Sequence, residues 1–236
     1  MTRWGYHLPI LTYHRIGALT GDHVPTVSAQ AFEWQLAFLA RHRYQVLSLD
    51  ALVGLMDRGE PMPRRSTLIT FDDGYEGVYS IAWPLLRRFR LASALFVTPN
   101  EVGLPGFISW KQVNEMVRDG VTIGSHTMNH RYLPFVSEDR LPEEISESKR
   151  AIEQQIGVPV HYFSYPVGGY TPLVQVTVKH AGYRAACTTN RAWSRNGMDP
   201  FALRRIKVTE RDRTPLFLWA KLSGYYDFFR RLERPA

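Results

Sequence analysis

The chain has 236 residues, 44% hydrophobic and 22% charged, with a formal net charge of +7. That length buries a substantial core as one large domain or two small ones, and no apolar run approaches a membrane span. The basic residues are scattered, with doublets at Arg64-Arg65, Arg87-Arg88, Arg204-Arg205 and Arg230-Arg231 but no polybasic block, so nucleic acid is not an expected partner.

From the N-terminus, "LPILTY" (8–13) reads as a strand, and Ser28 caps a helix to about His42 with Phe32, Leu36 and Leu39 on one face. "QVLSL" (45–49) is a further strand candidate, and Asp50 caps a short helix that Gly59 ends. "LITF" (68–71) is a strand, followed after Tyr75 by a helix with the stripe Val78, Ile81, Leu85 and Phe89. "ALFVT" (94–98) precedes a helix capped by Ser109 and stopped by Gly120. "VTIGS" (121–125) precedes a helix over 143–156 carrying Ile145, Ile152 and Ile156, with Gly157 after it. "YFSY" (162–165) leads to a helix that opens at Pro172 and stops at Gly182, and "RAACT" (184–188) and "LRRIKV" (203–208) are the last strands. The tail, 214–231, is helical and rich in aromatics, and is expected to pack against the body of the domain. Strand then helix, repeated six or more times, implies parallel strands with helical crossovers, as a (β/α) barrel or an open doubly wound sheet.

In both architectures the site lies at the C-terminal ends of the strands. Tyr13-His14, Asp72-Asp73, Ser125-His126 with His130, and Tyr165-Pro166 with Gly168-Gly169 all fall there. His126 and His130, four apart, either face one ion or occupy an unremarkable surface turn; Thr127 stands where a zincin protease has glutamate. With a carboxylate from another strand end, the two histidines make a His₂-carboxylate shell with one position left for water. Asp72-Asp73 supplies that carboxylate and a neighbour able to take a proton, and Gly74 frees the backbone to turn. The aspartates read equally as a helix N-cap, whereas an aspartyl nucleophile usually has its carboxylates two apart. Cys187, the only cysteine, excludes an intrachain disulfide or a cysteine-based zinc site, and within "YRAACTT" it reads as a small buried hydrophobe.

Together the motifs resemble the polysaccharide deacetylases of the NodB-homology type, carbohydrate esterase family 4. "TFDDGY" (70–75) and "SHTMNH" (125–130) match the first two family motifs, and "FSYPVGG" (163–169) resembles the third. "LTYHRI" (11–16) and "LRRI" (203–206) resemble segments of the subgroup acting on β-1,6-linked N-acetylglucosamine exopolysaccharide. The resemblance implies a single domain over 1–236, with a distorted (β/α) barrel of about seven parallel strands over 8–208. It implies hydrolysis of an N-acetyl group on an amino sugar or glycan. Asp72 is then the general base, Asp73, His126 and His130 hold a divalent metal, most often zinc, and the backbone near Val167, within Tyr165, Pro166, Val167 and Gly168, stabilises the oxyanion. A His₂-carboxylate shell also accepts Co²⁺, Ni²⁺ or Mn²⁺.

Two departures stand out. Ser164 occupies the position of the family arginine that orients the base, and Arg205 replaces it from another strand. "LRRIKV" lacks the histidine that the resemblance implies as general acid; the stand-in is His14 or a metal-bound water protonated through Asp72, and His14 reads equally as a hydrogen-bond partner behind the site. Trp110, Tyr132 and Tyr170 either stack on sugar rings or pack as core and rim. A non-catalytic carbohydrate-binding relative, and a deacetylase of a small or lipid-linked substrate, are the alternative functions. The segment "MTRWGYHLPILTYH" is interrupted by Pro9 and His14 and does not read as a signal peptide. The expected location is therefore cytoplasmic or the cytoplasmic membrane face, where the basic surface and aromatic tail allow a peripheral membrane contact.

Overall fold

The computed structural model of the protein describes residues 8–19, 23–190, 199–224 and 226. The Arg230-Arg231 doublet and the tail aromatics Tyr225, Phe228 and Phe229 lie outside the described residues. The strands, in chain order, are β1 (Ile10–Tyr13), β2 (Arg15–Ile16), β3 (Thr26–Val27), β4 (Gln45–Val46), β5 (Ser66–Phe71), β6 (Ala94–Val97), β7 (Thr122–Ser125), β8 (Tyr162–Ser164), β9 (Ala185–Thr188) and β10 (Leu203–Lys207). The helices are α1 (Ala29–Arg41), α2 (Leu49–Asp57), α3 (Trp83–Phe89), α4 (Trp110–Arg118), α5 (Ser148–Ile156), α6 (Pro172–His180) and α7 (Pro215–Leu222).

The choice between barrel and open sheet is decided by β1, which pairs in parallel on both edges. Ile10 lies opposite Leu68 of β5 on one side and opposite Arg205 of β10 on the other. Parallel pairing continues from β5 through β6, β7, β8 and β9 to β10, so seven strands close a barrel. β4 adds to the early part of β5, and β2 pairs with β3 apart from the barrel. Successive strand residues face opposite ways. Ile10, Leu68, Phe96, Tyr162, Cys187 and Leu203 belong to one buried cluster that fills the barrel. Their neighbours Leu11, Ile69, Leu95, Phe163 and Ala186 belong to the layer beneath the helices. Cys187 is part of the filling, and burial pushes its thiol up to about 12, consistent with a packing role.

Ser28 and Ser109 cap α1 and α4 through side-chain acceptance from Ala31 and Gln112. Three local expectations are corrected. Ser48, not Asp50, caps α2, accepting from Ala51 N–H, while Asp50 sits in the first turn and accepts from the Tyr162 hydroxyl at 2.5 Å. The strand candidate "QVLSL" is therefore only Gln45–Val46, because Ser48 starts the next helix. After Tyr75 the buried stripe is Val78, Ala82 and Leu86, with Ile81, Leu85 and Phe89 only partly covered. The π-helical turn Val78–Ala82, with its wider i→i+5 spacing, rotates the residues that follow.

In the tail, Leu218 and Leu222 of α7 pack inward, and Lys221 Nζ donates to Asp212 Oδ2 at 2.6 Å and to Lys207 O at 2.7 Å. Leu216, Phe217 and Trp219 face outward, so the packing expected of the tail applies to one face only. Among the described residues no helix is long and apolar enough to cross a membrane.

Gly124 of β7 sets how closely the interior packs. A Cβ there would stand 2.5 Å from Phe96 Cδ1 and 2.9 Å from Tyr162 O. Gly124→Ala is expected to lower stability by about 1–3 kcal/mol in urea unfolding, with Phe96→Leu in the same chain recovering part of the loss.

Candidate active site

Asp72 and Asp73 leave the end of β5 toward different partners, with His126 Nε2 4.0 Å from Asp72 Oδ2 and 3.4 Å from Asp73 Oδ1. Gly74 N–H donates to Asp72 O at 2.9 Å, closing a three-residue turn whose centre, Asp73, has φ 70°. Neither aspartate caps a helix: the next helical segment starts at Val78 after Gly77, with no side-chain cap.

The Asp72 carboxylate is buried against Arg205 of β10. Arg205 Nη1 donates to Asp72 Oδ1 at 2.7 Å and Nη2 to Oδ2 at 2.6 Å. The same guanidinium donates to Ser164 Oγ at 2.8 Å and to Thr70 Oγ1 at 3.3 Å. Burial alone pushes the Asp72 carboxyl up, but Arg205 and His126 outweigh it and hold the group well below the usual carboxylate range. Asp72 thus stays ionised in an apolar barrel.

Asp73 turns toward the histidines that follow β7. His126 Nε2 lies 3.4 Å and His130 Nε2 3.3 Å from Asp73 Oδ1, a buried oxygen with no hydrogen-bond partner. One donor atom from each of the three lies within 4.8 Å of the other two. His126 Nδ1 is 2.7 Å from Ser164 O. A carbonyl only accepts, so Nδ1 carries the proton and the Nε2 lone pair faces the Asp73 carboxylate. Burial also lowers the His126 pKa, keeping the ring neutral. A lone pair aimed at an orphaned buried carboxylate oxygen is repulsive unless a cation lies between them, so these residues fit a divalent metal. The Asp73 carboxylate raises His130 above its ordinary value, against the effect of burial.

His14 follows β1 with Nδ1 enclosed and unpartnered. Burial lowers its pKa, and the charges of Asp72 and Asp73 oppose that. In the turn after β8, Tyr165 N–H donates to Cys187 O and Gly168 N–H to Tyr165 O, while Pro166 has no N–H. Among the described residues the Val167 N–H has no hydrogen-bond partner. Val167 is exposed and has φ 59°, a costly conformation for a β-branched residue. The Tyr165 side chain is buried, with its hydroxyl donating to Phe201 O at 3.0 Å and its ring stacked on the partly buried Tyr170 at 4.7 Å, so the Tyr165 ring is not offered to a ligand. Gly168 is required by close approach, since a Cβ would stand 2.1 Å from Thr189 Oγ1. Trp110 packs against the core. Tyr132 stays at the rim beside Gly169 and meets the exposed Phe135 edge-on at 5.1 Å.

Four features escaped the sequence reading. Ser164 holds both Arg205 and His126. Glu101, in the loop after β6, lies within electrostatic reach of His130 and Asp73, and burial raises its carboxyl. Arg15 lies 4.8 Å over the Tyr75 ring, which stacks on Phe107 at 5.0 Å. Glu144 grips the loop between the histidines. Of these, Glu101, Arg15 and Tyr75 carried a signal, their place just beyond the C-terminal end of a barrel strand.

The parallel barrel carries these carboxylates and histidines at one end of its strands, and Asp73, His126 and His130 form a group that could hold a metal ion. Residues 59–186 match the family model described as polysaccharide deacetylase, and the chain belongs to that family. It is 28% identical over 202 residues to YxkH of Bacillus subtilis (strain 168), covering 86% of this chain and 71% of that one. It is also 28% identical over 139 residues to the poly-beta-1,6-N-acetyl-D-glucosamine N-deacetylase of Escherichia coli (strain K12), covering 52% of this chain and only 21% of that protein. Among solved structures, the Streptococcus pyogenes deacetylase PplD in complex with acetate superposes with a TM-score of 0.83 at 25% identity, covering 91% of this chain and 97% of that one.

The buried pair has a measurable stability. Because the folded pKa of Asp72 is depressed, its contribution is complete above the unfolded value of about 3.9 and is lost as pH falls below it. Arg205→Met is expected to cost about 3–5 kcal/mol in urea unfolding at pH 7, the range for breaking a buried pair. The gap to the wild-type protein should narrow as pH falls, starting above the ordinary carboxylate range, because burial without Arg205 raises the Asp72 carboxyl and the folded variant takes up a proton that the folded wild type does not.

Proposed function

We propose that this chain is a metal-dependent N-deacetylase that removes the acetyl group from an N-acetylated amino sugar of a glycan. The observation that carries the reading is the convergence of Asp73, His126 and His130 beside an Asp72 held on Arg205. When bound by that triad, a divalent cation, zinc by the donor set, supplies Lewis acidity and brings the pKa of a water to about 7. Asp72, ionised and fixed by two hydrogen bonds, accepts the proton of the water that adds to the acetamide carbon. The uncommitted Val167 N–H donates to the oxygen that gains negative charge. The proton accepted by Asp72 is returned to the sugar nitrogen, directly or by way of His14, as the C–N bond breaks, giving acetate and a free amine. Arg205 orients Asp72 from β10, whereas the sequence resemblance puts the family arginine at the position of Ser164 in β8. Membership of the deacetylase family and the relative named for poly-beta-1,6-N-acetyl-D-glucosamine support the choice of substrate class.

Acetate release from N-acetylglucosamine oligomers, with zinc supplied, tests the reading. Asp72→Asn is expected to lose about 10²–10⁴-fold in kcat while retaining zinc, the range for general acid–base assistance. Full activity in that variant would remove Asp72 as the base.

A further inference from the structure

Glu144 is a buried carboxylate, 3% exposed, and among the described residues it makes no ion pair. An acidic group in that state is costly unless its oxygens are satisfied by hydrogen bonds. Here they are satisfied almost entirely by the loop that joins the two histidines. Asn129 N–H donates to Glu144 Oε2 at 3.0 Å, and Asn129 Nδ2 donates to Oε1 at 2.9 Å. Met128 N–H donates to the backbone carbonyl of the same residue at 3.1 Å. Glu144 comes from the π-helical turn Glu143–Glu147 that precedes α5, the kind of helical irregularity often found at functional sites.

What that grip holds is a strained piece of chain. Thr127 and His130 both have positive φ, 68° and 53°. Such conformations persist where surrounding contacts over-determine them. The two histidines differ in how they are held. His126 is buried, with Ser164 O behind its ring. The His130 side chain is 35% exposed, and Asp73 is its ion-pair partner. Its direction is set by the backbone that carries it, and that backbone is fastened one residue earlier, at Asn129. Asn100 Nδ2 donates to Asn129 Oδ1 at 2.6 Å, so the Asn129 amide is held from both ends and both of its polar atoms are committed.

We propose that Glu144, acting through Asn129, is a positioning residue that aims His130 at the metal. This rests on the metal reading given above, and the residue itself touches neither metal nor substrate. Its removal should weaken metal binding specifically through His130.

The test is zinc affinity of the full chain, measured with Zn²⁺ alone against a chromophoric chelator. Glu144→Ala is expected to weaken binding about 10- to 100-fold, as loss of a partner behind a metal ligand does. In Glu144→Gln the amide NH₂ cannot accept, one of the two bonds from Asn129 is lost, and the expected weakening is about 3- to 10-fold. In a His130→Ala background, read at higher zinc, Glu144→Ala should have no further effect, whereas in a His126→Ala background it should weaken binding again. Should Glu144→Ala fail to fold, Glu144→Gln and its double variant with His130→Ala carry the same comparison. Unchanged affinity in Glu144→Gln, or an equal loss whether or not His130 is present, overturns the proposal while leaving the metal reading standing. No zinc binding by the wild-type chain would overturn both.

Discussion

The bidentate contact between Arg205 and Asp72 is the constraint on which the site depends. It joins the middle of β10 to the C-terminal end of β5, reaching across β1, which lies between them. A carboxylate at that depth would otherwise protonate or collapse onto the nearest cation. Arg205 keeps it charged, engages both its oxygens, and leaves the adjacent Asp73 as the carboxylate that faces the histidines. The division of labour between two neighbouring aspartates follows from that contact and from the positive φ at Asp73 that turns the second side chain away.

The same pattern recurs around the mouth of the barrel. Asp73, Thr127, His130 and Val167 all hold left-handed backbone without being glycine, and each lies in a loop after a barrel strand. Local preference opposes each of these conformations. They are maintained by specific contacts: the Gly74–Asp72 turn, the Glu144–Asn129 grip, and the close seating of Gly168 on Thr189. Stability from the packed interior is spent on backbone shapes that set the directions of Asp73, His130 and the Val167 N–H.

Much of this was legible in the sequence. The barrel strands are short apolar runs bounded by turn residues, and the residues that interrupt the apolar pattern sit where the strands end. Asp72, Asp73, His126 and His130 could therefore be brought together before any coordinate, and the position of Arg205 in a segment that resembles the family suggests it as the partner of Asp72. Other features were hidden for physical reasons. Ser48 and Asp50 are both good capping residues two positions apart, and only the register of Leu49 against the core chooses between them. The π turns at Val78–Ala82 and Glu143–Glu147 shift the helical face by a fraction of a turn, which period-3.6 reasoning cannot anticipate. Ser164 acts partly through its backbone carbonyl and Glu144 through a loop fifteen residues before it in the chain, so side-chain type gave neither away.

The central claim is that Asp73 binds the metal and Asp72 does not. A crystal structure of the zinc-loaded protein with data at the zinc absorption edge measures this directly. The account predicts one zinc about 2.0–2.2 Å from an Asp73 oxygen and from Nε2 of His126 and His130, with Asp72 still paired to Arg205. Zinc on Asp72, with Arg205 released, would contradict it.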